Sequence, residues 1–600
     1  MASRHEPGSE AAAPAANSAA DTIIADDVAG SLQRDGGDRG PSLSERVVAG
    51  VAARVYATPV HRLRLRGRFP LKLLGVPADP LPGDPHIGER IVAGRLIHAG
   101  HTQMTRDISF RETSAPPAWQ EWAHSWEWLR DLAILPDRAA ATKAAEALVE
   151  RWLASFPEYD PLAWRADITG TRLLMALGHA PLILSGSNQI YRSAVLSALA
   201  TWARHLDRAA RRAPEGLARV RALAGLYAAG TLIPGGEVRA AAALAGLETL
   251  LPALVLPDGG MATRAPIDGL ALAETLLFAG AAPEAIGARA PPLFADTLAR
   301  LAPALRGLML GDGQVGAWHG GAVIGTSAME RLARKVPTGT EIRRGGRWSG
   351  FQRLSAGRTV VVVDAGPPPP ARLSTYGHAG TLAFEMSDGP DRLVTNCGGQ
   401  RGLEHSASGP LAPALAGGLA TTAAHSTLVI ADTNSTRIRD DGTLGSGVEE
   451  VTLSNPTMAE GQLLESSHDG YARRLGMLVR RRLFLSADGN ELGGEDMIEA
   501  APARLFTRRS ERDFDVRFHL GQGVSATPTA DGMGALMKTP GGRIWAFKAR
   551  IAAGAGRLLI EPSLWVDAEG TIHRTQQLVI NGTTEKCAAD VHWSFTRAGK

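Results

Sequence analysis

Two cysteines, Cys397 and Cys587, stand in 600 residues. That excludes a disulfide framework and makes two free thiols the expectation, with a single bridge between them left open. An excess of one charge is also missing, because Lys plus Arg number 64 and Asp plus Glu 61. Nothing in that balance calls for nucleic acid as a partner; the arginines read first as solvated surface and second as groups suited to carboxylate or sulfate on an acidic polymer. No apolar run approaches the roughly 18 residues that a membrane-spanning helix needs, so no transmembrane segment is expected. The start, Met1-Ala-Ser-Arg-His-Glu-Pro-Gly-Ser-Glu10, has neither a basic nor an apolar stretch of a secretory signal. Residues 1–43 hold too little apolar surface to offset chain entropy and are expected to be a disordered tail.

What is present falls into two halves. From residue 44 to 310 apolar residues recur at helical spacing, beginning with Trp119, Trp122, Trp126 and Trp128, and Pro, Gly and Asp punctuate the segments, as at Phe156-Pro-Glu-Tyr-Asp-Pro161 and Pro257-Asp-Gly-Gly260. Short connections make neighbouring helices antiparallel, and a series of such hairpins closes into an incomplete α/α toroid or runs on as a solenoid. The tryptophans are expected in the core rather than stacked on sugar. Residues 311–345 are Gly-rich and read as a linker. From 346 to 600 the pattern changes to strands such as Thr359-Val-Val-Val-Val-Asp364 and Leu478-Val-Arg-Arg-Arg-Leu-Phe-Leu485, divided by Gly and Asp turns. Many strands at that spacing predict an antiparallel β-sandwich.

The chemistry-bearing residues cluster in Ser374-Thr-Tyr-Gly-His-Ala-Gly380, Asn396-Cys-Gly-Gly399 and Ala424-His-Ser-Thr427. Alternation along strands lets His378 and His425 converge on one side of a sheet, as metal ligands or as a hydrogen-bonded pair within the core. The order of these pieces resembles the C-terminal domain of the heparinase II/III family of polysaccharide lyases, and the preceding helices resemble that family's N-terminal domain. The resemblance implies Tyr376 at the proton-transfer position and His378 with His425 as ligands of a structural zinc. It places Asn396 where the family carries an Asp, which removes the anionic ligand. It further implies a periplasmic or cell-envelope location, against the missing signal.

Cleavage beside a uronate by β-elimination needs a carboxylate neutraliser, a base for the C5 proton and an acid for the leaving oxygen. Tyr376 is the sequence's candidate for base or acid, and a phenol titrating near about 10 needs a cation or metal beside it for that work. The helix 214–235 carries neither Asn nor His at the matching place, so Arg219, Arg221 and Arg264 are the candidate substrate clamps. His179 is expected to end a helix near free carbonyls, and His319 and His405 to lie in loops. The leading expectation is a lyase acting on uronate-containing anionic polysaccharide. The alternative is a non-catalytic or repurposed glycan-binding protein of the same fold. A glycoside hydrolase would need two facing carboxylates, and Asp258 with Asp268 do not make a convincing pair. Oligomeric state is not readable.

Overall fold

The computed structural model describes residues 30–34, 50–51, 54–337, 346–404, 406, 413–502, 511–553 and 555–598. The helical half is organised around Leu217–Leu232, which packs against Ala166–Gly178, Gln189–Ala209, Glu237–Leu254 and Pro266–Glu284. Small residues allow this. A Cβ on Gly170 would meet the Arg221 carbonyl at 2.2 Å, and one on Gly225 would meet the Gly170 carbonyl at 2.2 Å, so the two helices lie backbone to backbone. The tryptophans are core, with Trp119, Trp126, Trp128 and Trp152 almost fully buried. The buried Arg172 guanidinium lies 4.2 Å from the Trp152 ring and 4.4 Å from that of Trp202, and donates to the His124 and Ala163 carbonyls.

Two antiparallel sheets make up the other half. One runs in the order Gly30–Gln33, Glu450–Ser454, Gly461–His468, Met477–Ser486, Glu491–Ala500, Ala589–Ala598, Ile544–Ala553, Gly534–Lys538, Ser525–Pro528, with Thr457–Met458 beside Gly461–His468. The other runs Ala555–Val566, Ile572–Thr583, Asp513–Leu520, Asp391–Thr395, Phe384–Asp388, Thr359–Asp364, Phe351–Ala356, Arg347–Trp348, with Leu428–Ile430 beside Asp513–Leu520. Met477–Ser486 alternates between buried and less buried positions, as a strand with one face on a core should. Leu354, Val361 and Phe384 from one sheet share a core with Val451, Leu483 and Trp593 from the other, which makes a sandwich. Phe384–Asp388 and Asp391–Thr395 are buried at every position, with Gly311, Asp312 and Gly316 lying against Ser387, Arg392 and Glu385.

Two expectations change here. Residues 311–337 are structured: Val315 bridges to Met309 and Ile324, and the helix Thr326–Lys335 buries Met329 and Leu332 in the helical core. Residues 338–345 lie outside the described residues. Within the expected disordered tail, Gly30–Gln33 forms a strand along Glu450–Ser454, because an open sheet edge supplies the hydrogen bonds that this apolar-poor segment lacks on its own. Both cysteines are buried and neither is in a disulfide.

Candidate functional site

Strands 384–388 and 391–395 set the seam between the halves, and charged side chains staple it. Arg392 spans to Asp312 at 2.7 Å and to Glu385 at 3.1 Å. Arg353 donates to the carbonyls of Gly307 and Met309. Asp258 accepts from the Ser349 N–H at 2.7 Å. Arg264 contributes most. Its backbone is left-handed, at φ 54°, and its buried guanidinium donates to Ser349 O, Gly366 O, Pro367 O and Asp364 Oδ1 at 2.7, 3.1, 2.7 and 2.6 Å. Asp364 also faces His319, with Nε2 3.1 Å from Oδ2. Arg264 is therefore an interdomain staple, not the groove-wall clamp expected from sequence, because its donors are taken up by carbonyls and one carboxylate. His319 is buried with it rather than solvated.

Tyr376 sits half-buried in the loop between Thr359–Asp364 and Phe384–Asp388, against Gly320, where a Cβ would meet its own Cβ at 2.5 Å. Burial and a hydrogen bond to the Glu404 carboxylate push its phenol up to about 12, and Glu121 adds to the effect. The Arg401 guanidinium lies 5.6 Å from the ring centroid and opposes this, but Arg401 is itself paired to Asp268 at 2.5 Å. Glu121 in turn pairs with Arg165, which also holds Asp167. Of the charges that act on the phenol, the Glu404 and Glu121 carboxylates raise it and the Arg401 guanidinium lowers it, with a net rise. A lyase needs the reverse: a cation to lower the phenol and neutralise a uronate.

The other expected clamps do not supply it. Arg219 donates to the Ala213 carbonyl at 2.9 Å and lies 3.6 Å from Glu215. Arg221 is partly buried on the same helix and makes no ion pair with a described residue; its charge acts on Glu274, whose carboxyl is raised chiefly by burial.

The family's zinc can be tested on the residues that would hold it. His425 Nδ1 faces the Thr421 carbonyl at 2.7 Å, and His425 Nε2 faces His378 Nδ1 at 3.0 Å. The network assigns the protons. His425 donates from Nδ1, its Nε2 accepts from His378 Nδ1–H, and the remaining lone pair of His378 is on Nε2, buried without a partner. The one lone pair left unused, on His378 Nε2, is on the ring nitrogen that does not face His425, and among the described residues no third His, Cys or carboxylate joins the two histidines as a ligand set. Both imidazoles are held neutral by burial, His425 at about 4 and His378 well below its usual value. Asn396 gives its Nδ2 to Glu385 Oε1 at 3.3 Å and accepts from the Ser426 N–H at 2.9 Å, so its amide is occupied on both ends. His378, Asn396 and His425 do not fit zinc; they make a hydrogen-bonded core pair with a separate Asn bridge.

His179 meets Asp79 at 3.1 Å rather than a carbonyl, and His405 lies outside the described residues. Sequence reasoning missed a second surface. Between Arg46 and Ala78 there is no Asp or Glu, while Arg54, Arg62, Arg64, Arg66, Arg68 and Lys72 all recur there. Those six are exposed. So are Val60, Leu63, Phe69 and Leu71, the last at 93%. The helix Pro59–Leu65 turns His61 and Leu65 inward, and Arg204 pins its C-terminal end by donating to Leu65 O and Arg68 O. Beneath it lies a cavity of about 230 Å³ lined by Tyr56, His61, Tyr159 and Trp164. The uninterrupted run of cations was the legible signal.

A helical array seated on an antiparallel sandwich, with its Tyr and His cluster at the seam, is the α-toroid and β-sandwich architecture of the heparinases. A crystal structure of heparinase III superposes with a TM-score of 0.70, at 12% identity, over 94% of this chain and 93% of that one. A mutant of the heparan sulfate lyase HepC from Pedobacter heparinus superposes at 0.60 with 15% identity, over 92% and 90%. At such identities the likeness is one of fold. Residues 338–594 match the heparinase II/III-like C-terminal domain, and FtsZ-localized protein C of Caulobacter vibrioides is 30% identical over 563 residues, 90% of this chain and 93% of that protein. The chain belongs to the heparinase II/III family.

Proposed function

We propose that this chain is a heparinase-fold protein that no longer performs β-elimination and instead docks peripherally on an anionic membrane surface. The observation that carries the reading is the exposed segment from Arg54 to Lys72, which has no acid of its own and meets Glu158 only through Arg62, and which is studded with Leu63, Phe69 and Leu71. Apolar side chains enter the headgroup boundary while arginines meet lipid phosphates, each cation contributing on the order of 1 kcal/mol near an anionic surface. The setting of Tyr376 supports the loss of lyase chemistry, since burial and the Glu404 and Glu121 carboxylates raise the phenol and those carboxylates repel a polyanion. The name of the Caulobacter relative, FtsZ-localized protein C, supports a place of action alongside FtsZ.

Co-sedimentation with vesicles tests it. Binding is expected to vesicles containing phosphatidylglycerol, to weaken with salt, and to disappear in Arg64→Glu/Arg66→Glu and in Leu71→Asp. Equal binding to neutral vesicles, or none to either, overturns the reading. In parallel, incubation with heparan sulfate, alginate or bacterial capsule should give no rise in the ultraviolet absorbance of an unsaturated uronate. A rise that vanishes in Tyr376→Phe would restore the lyase.

A further inference from the structure

The ten-stranded sheet ends in a strand contributed from far away in the chain. Gly30–Gln33 runs antiparallel to Glu450–Ser454, pairing Gly30 with Leu453, Ser31 with Thr452, Leu32 with Val451 and Gln33 with Glu450. The Arg34 N–H extends the ladder to Glu449 O at 2.7 Å, and its guanidinium reaches Gly445 O at 2.7 Å. All four strand residues are exposed. Leu32 lies opposite the fully buried Val451, at the rim of the sandwich core, and is itself 39% exposed. A four-residue strand with solvated side chains and one apolar contact sits at the low-stability end of a structure and opens without disturbing the rest. When it leaves, Glu450–Ser454 presents an unpaired row of N–H and C=O groups.

We propose that Glu450–Ser454 is a strand-addition site that exchanges its resident Gly30–Gln33 for the same segment of a second copy. The register already shows that this segment fits the edge, and exchange recreates every contact in trans. Little separates the two states except the concentration of chains. Each copy gives one strand and takes one, so the contact closes on itself as a two-fold dimer. The inference goes beyond membrane docking and does not depend on it.

Cysteine crosslinking in the full chain decides the matter, because Cys397 and Cys587 are buried and Ser31 and Thr452 face each other at exposed positions. Ser31→Cys protein carrying a tag is mixed with untagged Thr452→Cys protein, incubated and oxidised. The expected product is a disulfide-linked heterodimer whose share rises with protein concentration and is lost in Leu32→Asp. The double variant, with both cysteines in one chain, should close internally when dilute and link between chains when concentrated. Two results overturn the proposal: internal closure at every concentration with no heterodimer from the mixture, or no crosslink in the double variant at all.

Discussion

Tyr376 illustrates how a residue of the right type in the right place is turned away from its expected work. Its hydroxyl donates to Glu404, and the deprotonated form would put two negative charges side by side. Replacing Glu404 with Gln should lower the phenol from about 12 toward the ordinary tyrosine range, read by ultraviolet difference titration; an unchanged titration would remove Glu404 as a cause. Arg264 poses the opposite case, a charge fully committed to the frame. Asp364→Asn leaves its guanidinium without a counter-charge inside the seam and is expected to cost about 3–5 kcal/mol in denaturant unfolding. Tyr376, His378 and His425 were all legible as residues of interest. What was not legible was their company: Glu404, Arg401 and Asp268 arrive from distant segments, and no local spacing announces that Arg264 will point at Asp364.

At the scale of elements, the sandwich strands were readable because a half-buried strand shows its period of two. Taken alone, the same rule would point the wrong way at His61-Arg-Leu-Arg-Leu-Arg66, inside the stretch read as helical. Its alternation suggests a strand, yet Pro59 at the first turn, the Thr58 cap and the inward pair His61 and Leu65 make Pro59–Leu65 a helix, which spreads its arginines around an exposed face. Inside the sheet, adjacent glycines differ sharply. A Cβ on Gly494 would meet the Trp593 indole at 2.1 Å, whereas one on Gly493 has nothing nearer than 4.0 Å. Gly494→Ala is therefore expected to lose about 1–3 kcal/mol by overpacking, with Gly493→Ala close to neutral in the same melt. Equal effects would show that the indole yields.

For the whole molecule, buried neutral histidines make stability depend on acid. Burial holds His425, His124 and His468 at about 4 and His205 and His519 at about 3, against about 6.5 in the unfolded chain. The unfolded state takes up the protons first. Their contribution is complete above about pH 6.5 and is lost as pH falls toward the folded values, on the order of 1 kcal/mol per pH unit for each histidine. Denaturant midpoints should decline steadily from neutrality into that window; a flat profile down to about pH 4 would mean that these imidazoles are not held neutral. Because His425 sits close to the Arg264 and Asp364 staple that joins the halves, both halves should unfold in one transition rather than two.

The Asn396 bridge bears on the history of the site. In the family pattern an Asp belongs there, and a single substitution would seem enough to bring the metal back. Here, however, the amide nitrogen rests on Glu385 Oε1 at 3.3 Å, so Asn396→Asp would set two carboxylates against each other in a buried place. Regaining the ligand would require Glu385 to change first, and Glu385 also anchors Arg392. The neutral amide is thus locked in place by its surroundings: a carboxylate at 396 is opposed by Glu385, and Glu385 is held by its own pairing to Arg392.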